Sequence, residues 1–237
     1  IVMAAPPPSY GREEMLMQQF RSIAQRYEIS DEFAMKLKQL EGWEIVLILD
    51  DSGSMNTPIT NGQPSGPFAR SITRWDELKT TAGIIVDIGA VMDKDGLDLY
   101  FLNRATVLNV TSSQQVEPLF QQPPNGLTPI TPVLQHVLEA KKQIAVEKKI
   151  LIVIATDGVP TNQQGHSDIP GLKNVLMHQR DASRFYVTFL ACTDDEAVMA
   201  YLNEMDKKIQ HLDVVDDYQS ERREILKARG SKYPFSF

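Results

Sequence analysis

The sequence predicts an α/β fold: a doubly wound, mostly parallel six-stranded sheet with one antiparallel edge strand, flanked by helices and preceded by an N-terminal helical extension. Three observations carry this. Two solid apolar runs, Ile45–Leu49 and Ile150–Ala155, have the composition of strands buried on both faces. Helical patterns alternate with strand-like runs, as they do in the crossover units of a parallel sheet. Only Asn103-Arg104-Ala105 separates Leu97–Leu102 from Thr106–Val110, and so short a link requires an antiparallel pair.

Taken in order, residues 1–11 are Pro-rich and are expected to be extended or disordered. Within them Pro7, Pro8 and Tyr10 fit the Pro-Pro-x-Tyr pattern that WW modules bind as a polyproline helix, with a plain tail as the alternative. Residues 12–41 form the helical extension. Met15, Met17, Phe20, Ile23 and Tyr27 mark a first helix, and Phe33, Ala34, Leu37 and Leu40 a second, with Ser30 as its N-cap before Asp31 and Glu32. Both are expected to pack on the flank of the main domain, residues 42–229.

There the first buried strand ends at Asp50, and a polar stretch rich in Gly and Pro runs from Asn56 to Thr73. Trp75, Leu78, Ala82, Ile85, Gly89 and Met92 then form one face of a helix, with Asp76 and Glu77 in its first turn. A short helix is expected at Gln114–Gln121. A longer one is expected at Pro132–Val146, with Thr131 as N-cap and Pro132 as first helical residue. After the second buried strand come a helix at 168–180, a strand at 184–191, a helix at 194–206, a strand near 210–215 and a charged closing helix at 217–229. Asp194, Asp195 and Glu196 are read as the acidic first turn of a helix capped by Thr193 rather than as a cation site. Residues 230–237 end on apolar side chains and are read as a tail continuing into a longer protein.

Composition narrows the function. Lys and Arg number 24 against 31 Asp and Glu, a net charge of −7, which argues against a general binder of nucleic acid or of anionic membranes. Neither apolar run approaches the ~20 residues of a membrane span. The single cysteine, Cys192, permits no internal disulfide and leans towards a cytoplasmic setting. Asn109-Val110-Thr111 matches a glycosylation acceptor and keeps an extracellular setting as the alternative. The four histidines have no paired spacing, so zinc is not expected, although His166 lies in a loop that could approach the rim of a site after Asp157.

In an open α/β sheet, ligands bind beyond the carboxyl ends of the strands. After the first buried strand stand Asp50-Asp51-Ser52-Gly53-Ser54, and after the second Thr156-Asp157-Gly158. Two carboxylates at neighbouring strand ends repel each other unless a cation lies between them. Asp, Ser and Thr oxygens are hard ligands suited to Mg²⁺, Mn²⁺ or Ca²⁺.

Asp50-x-Ser52-x-Ser54, the threonine of Gly126-Leu127-Thr128-Pro129 and the aspartate of Thr156-Asp157-Gly158 resemble the metal-ion-dependent adhesion site of a von Willebrand factor A domain, whose Rossmann-like sheet the strand pattern also fits. The resemblance covers roughly 42–220. It implies that Ser52 and Ser54 hold a Mg²⁺ ion directly, that Asp50 and Asp157 do so directly or through water, and that Thr128 joins in one state of the site. One coordination position would be left for an exposed Asp or Glu of a partner protein. Where the family usually has a second glycine before the threonine, this chain has Leu127.

The resemblance implies a cation-dependent protein-binding module and not an enzyme. No Gly-rich phosphate loop followed by Lys and no Gly-x-Ser-x-Gly are present. Two alternatives are a metal-dependent phosphohydrolase, for which Arg70 and Arg74 beside the long loop are the clamp candidates, and a structural domain with a vestigial metal site.

Overall fold

A computed structural model describes residues 9–27, 29–30, 35–59, 71–193 and 195–216. At the centre of its sheet lies β1 (Glu44–Leu49). Ile45, Leu47 and Leu49 enter the core on one face, and Val46 and Ile48 enter it on the other. That two-sided burial is what the unbroken apolar run requires. The neighbours β2 (Leu97–Phe101) and β4 (Ile150–Thr156) both pair parallel with β1. Beyond β2, β3 (Val107–Val110) turns back antiparallel. On the other side β5 (Phe185–Ala191) and β6 (Leu212–Asp216) continue the parallel sheet. The order β3-β2-β1-β4-β5-β6 is the expected mostly parallel, six-stranded arrangement with an antiparallel edge. Winding reverses between β1 and β4, so their carboxyl ends open a crevice.

Helices cover both faces. The N-terminal α1 (Ser9–Arg26) lies against α2 (Arg74–Met92). Thr73 starts α2 through a capping box: its hydroxyl accepts from the Asp76 N–H, and the Asp76 carboxylate accepts from the Thr73 N–H. Trp75, Leu78, Ala82 and Val86 of α2 pack with Leu47, Leu99 and Phe101. Approach is close at Gly89, where a Cβ would lie 2.8 Å from Leu97 Cδ1. The short α3 (Ser113–Val116) follows β3. The opposite face is covered by α4 (Ile130–Ala140), by α5 (Ile169–Asn174) with the π-helical turn Val175–Gln179, and by α6 (Glu196–Asp206). These bury Val46, Ile48, Ile152, Ile154 and Phe189.

Asp87 of α2 anchors the extension. It accepts from the Tyr27 hydroxyl, from the Ser113 N–H at 2.7 Å and from the Ser113 hydroxyl at 2.9 Å, and it pairs with Arg26 at 3.2 Å. Burial of Phe20 and Ala24 completes the contact.

Four local expectations change. Ser9 and Tyr10 already belong to α1, while Pro7 and Pro8 of the same motif lie outside the described residues. Pro129, not Thr131, is the N-cap of α4, because the Thr128 carbonyl accepts the Ile130 N–H at 2.8 Å and closes the first turn earlier. Pro132 is tolerated there as a first-turn residue. The helix also ends at Ala140, before a 3₁₀ turn at Ile144–Val146. Finally, Asp195 rather than Thr193 caps α6, accepting from the N–H groups of Ala197 and Val198. The expected cap of Ser30 on residues 31–34, most of the 56–73 stretch including Arg70, the helix at 217–229 and the tail at 230–237 fall outside the described residues. Among the described residues no helix is long and apolar enough to cross a membrane.

Candidate functional site

Asp50 continues β1 by one residue, its N–H donating to the Ala155 carbonyl at 3.0 Å. It is fully buried. Its Oδ1 accepts from the Ser52 N–H at 2.9 Å and its Oδ2 from the Thr156 hydroxyl at 2.6 Å. No basic side chain among the described residues pairs with it. Burial therefore pushes its pKa up to about 6, the nearby Asp157 charge adds to the rise, and the bonds from Ser52 and Thr156 oppose it.

The 3₁₀ turn Gly53–Asn56, with Ser52 as its N-cap, carries Ser54 towards Asp157. Ser52 Oγ and Ser54 Oγ are 3.0 Å apart, and Ser54 donates to Asp157 Oδ1 at 2.7 Å. Asp157 follows β4 directly and is 3% exposed. The loop bearing Thr128 is laced to this turn through the main chain. Asn125 N–H donates to the Asp51 carbonyl at 2.8 Å, and Gly53 N–H to the Gly126 carbonyl at 3.1 Å. Gly126 has φ +117, and a Cβ there would come within 2.5 Å of Asn103 Oδ1, so glycine is required. Thr128 is buried, its N–H donating to Thr161 Oγ1 at 2.9 Å. Its hydroxyl lies beside Gly158, 3.8 Å from where a Cβ on that glycine would stand. The five sequence-derived residues thus converge on one crevice. Asp50, Ser52, Ser54 and Asp157 are linked by hydrogen bonds and charge, with Thr128 alongside.

Arg74, read from sequence only as a phosphate clamp, turns inward. Its Nη1 donates to Asp157 Oδ2 at 2.8 Å and its Nη2 to Thr193 Oγ1 at 2.9 Å. As the first residue of α2 its charge opposes the helix dipole, an effect of roughly 0.3–1 kcal/mol that the buried partner offsets. A cation in the first turn of a helix was the available signal. Asp51, the third carboxylate of the segment, faces away from Asp50. It accepts from Asn103 N–H at 2.8 Å and lies 3.1 Å from Arg104 Nε. Arg104 also donates to the carbonyls of Leu119, Gln122 and Pro123 and lies over the Trp75 ring, so this pair is structural. Tyr201 donates to the Gly158 carbonyl at 3.0 Å, and its pKa is raised by burial and by the Asp50 charge. His166 stands exposed in the loop closed by the Thr161–Ser167 bridge.

Among the described residues no three His, Cys, Asp or Glu side chains gather as a metal site. The constellation instead offers two carboxylates and three hydroxyls, all hard oxygen donors.

No protein-family model matches the chain, and no curated protein matches it. Its fold does match solved structures. Two crystal structures of the pilus adhesin SpaC from Lactobacillus rhamnosus GG, one in an open conformation, align with TM-scores of 0.51 at 14% identity over 79% of this chain. The chain spans 29% and 30% of the length of those adhesin chains. At that identity the likeness is one of fold.

Proposed function

We propose that the chain is a von Willebrand factor A-type module that captures an acidic residue of a partner protein through a divalent cation, Mg²⁺ with Mn²⁺ or Ca²⁺ as substitutes. One observation carries this: at the switch point of the sheet a fully buried Asp50, with no counter-cation among the described residues, stands with Ser52, Ser54, Thr128 and Asp157 around one crevice. The oxygen separations of 3.0 and 2.7 Å along Ser52, Ser54 and Asp157 are close to the roughly 2.9 Å edge of an octahedron with Mg–O bonds of about 2.0–2.1 Å. Ser52 and Ser54 would bind through their hydroxyls, Asp50 and Asp157 directly or through water, and Thr128 in one state of the site. Neutral hydroxyl ligands leave charge on a bound cation, and that charge attracts an outside carboxylate. The likeness in fold to a pilus adhesin is consistent with a binding role.

Calorimetric titration of the metal-free protein with Mg²⁺, Mn²⁺ and Ca²⁺, repeated with acetate present, tests the proposal. Saturable binding that is lost in Asp50→Ala is expected. No binding of any of the three ions under either condition would overturn it. Phosphohydrolysis is the second reading, since Arg74 does reach the site. Its donors, however, are engaged by Asp157 and Thr193 rather than by the open crevice.

A further inference from the structure

The crevice contains a cation of its own. Resting on the assignment of a divalent-cation site, we propose that Arg74 is a built-in counter-charge that makes capture of the metal depend on the partner's carboxylate.

Arg74 is fixed in place. The capping box sets where α2 begins, and the Arg74 N–H donates to the Thr57 carbonyl at 3.1 Å. The guanidinium is then held at two points, Asp157 Oδ2 and Thr193 Oγ1. Its side chain is 20% exposed and that of Asp157 is 0% exposed, so solvent screens the pair poorly. Arginine cannot shed its proton in a protein, so this charge is permanent. Asp157 has both oxygens engaged, one by Ser54 and the other by Arg74.

Charge balance gives the consequence. Counted by formal charge, Asp50 and Asp157 with Arg74 leave the crevice with one net negative charge. A divalent ion turns that into one net positive charge in a poorly solvated place. A single carboxylate from outside restores neutrality. Metal and carboxylate therefore bind as a linked pair, each raising the affinity for the other by the same factor. Without Arg74 the two aspartates neutralise the ion by themselves, and the linkage weakens. The same balance favours a monoanionic side chain over a phosphate dianion, which would leave the crevice negative again.

The experiment is calorimetric titration of Mn²⁺ into the wild type, Arg74→Gln and Arg74→Lys, each with and without saturating acetate. Acetate is expected to tighten Mn²⁺ binding to the wild type by about fivefold or more, the lower end of ordinary coupling. Arg74→Gln should bind Mn²⁺ about fivefold or more tightly without acetate and gain little from adding it. Arg74→Lys should follow the wild type. Wild-type binding that Arg74→Gln does not tighten overturns the role of Arg74 and leaves the metal site standing. Absence of binding in every protein and condition overturns the site itself, and this inference with it. Should Arg74→Gln not fold, the wild type decides: Mn²⁺ affinity unchanged by acetate overturns the linkage.

Discussion

At the amino-terminal ends of the strands, Glu44 and Asp98 share the ammonium of Lys141, which contacts Glu44 and lies 2.6 Å from Asp98. Lys148 stands 3.5 Å from Glu44 and 3.7 Å from Asp93. At the carboxyl-terminal ends Asp50 is at least as deeply buried, yet its partners are a main-chain N–H and a hydroxyl. Burial works against the Lys141 charge, but the bonds to Asp98 and Glu44 outweigh it and raise its pKa. Among the described residues Asp50 has no such partner, and burial lifts its pKa. One pole spends its buried carboxylates on holding the sheet together. The other, among the described residues, keeps one carboxylate uncompensated, at a cost that a bound cation would remove.

The largest expected effect breaks the first pole. Lys141→Met leaves Glu44 and Asp98 buried without their shared cation and should cost about 3–5 kcal/mol in urea denaturation. A loss below about 1 kcal/mol, the value of an exposed pair, would erase the contrast. Next comes pH. Because the folded-state pKa of Asp50 is raised, the stability tied to its protonated form is fully present below the unfolded value near 4. It is lost as pH rises through about 6. The metal-free protein should lose on the order of 3 kcal/mol from this group across that window. Asp50→Asn should remove the slope, and an unchanged slope would show that the charge is compensated elsewhere. The smallest effect sharpens the comparison with an intermediate case. Asp87 is partly buried, but the bonds from Tyr27 and Ser113 outweigh the burial and its pKa is lowered. Tyr27→Phe removes one neutral donor and should cost about 0.5–1.5 kcal/mol. Faster amide exchange in α1 would report it, and unchanged exchange would deny that this bond holds the extension.

Much of this architecture was legible in sequence because it is written in short range. The apolar runs of β1 and β4 place Asp50 and Asp157 at strand ends, and the three-residue link fixes the antiparallel edge. Ser52 and Ser54 follow Asp50 too closely to lie elsewhere. What escaped depends on distant segments. Nothing near Arg74 in sequence announces Asp157, 83 residues on. Thr193 and Asp195 both have the chemistry of a helix cap, and Arg74 claims the Thr193 hydroxyl. Thr131 looks like the start of α4 until the Thr128 carbonyl is seen to take that place.

The lacing of the crevice through Asn125 N–H to Asp51 carbonyl and Gly53 N–H to Gly126 carbonyl has a consequence for engineering. The shape of the cup is drawn by backbone atoms, which every residue type shares. Leu127, between Gly126 and Thr128 and 42% exposed, contributes its carbonyl to Asn103, while its side chain borders solvent. Such a rim can be recoded one side chain at a time without redrawing the cup beneath it, making position 127 a natural starting point for a library that varies the rim and leaves the oxygens where they are.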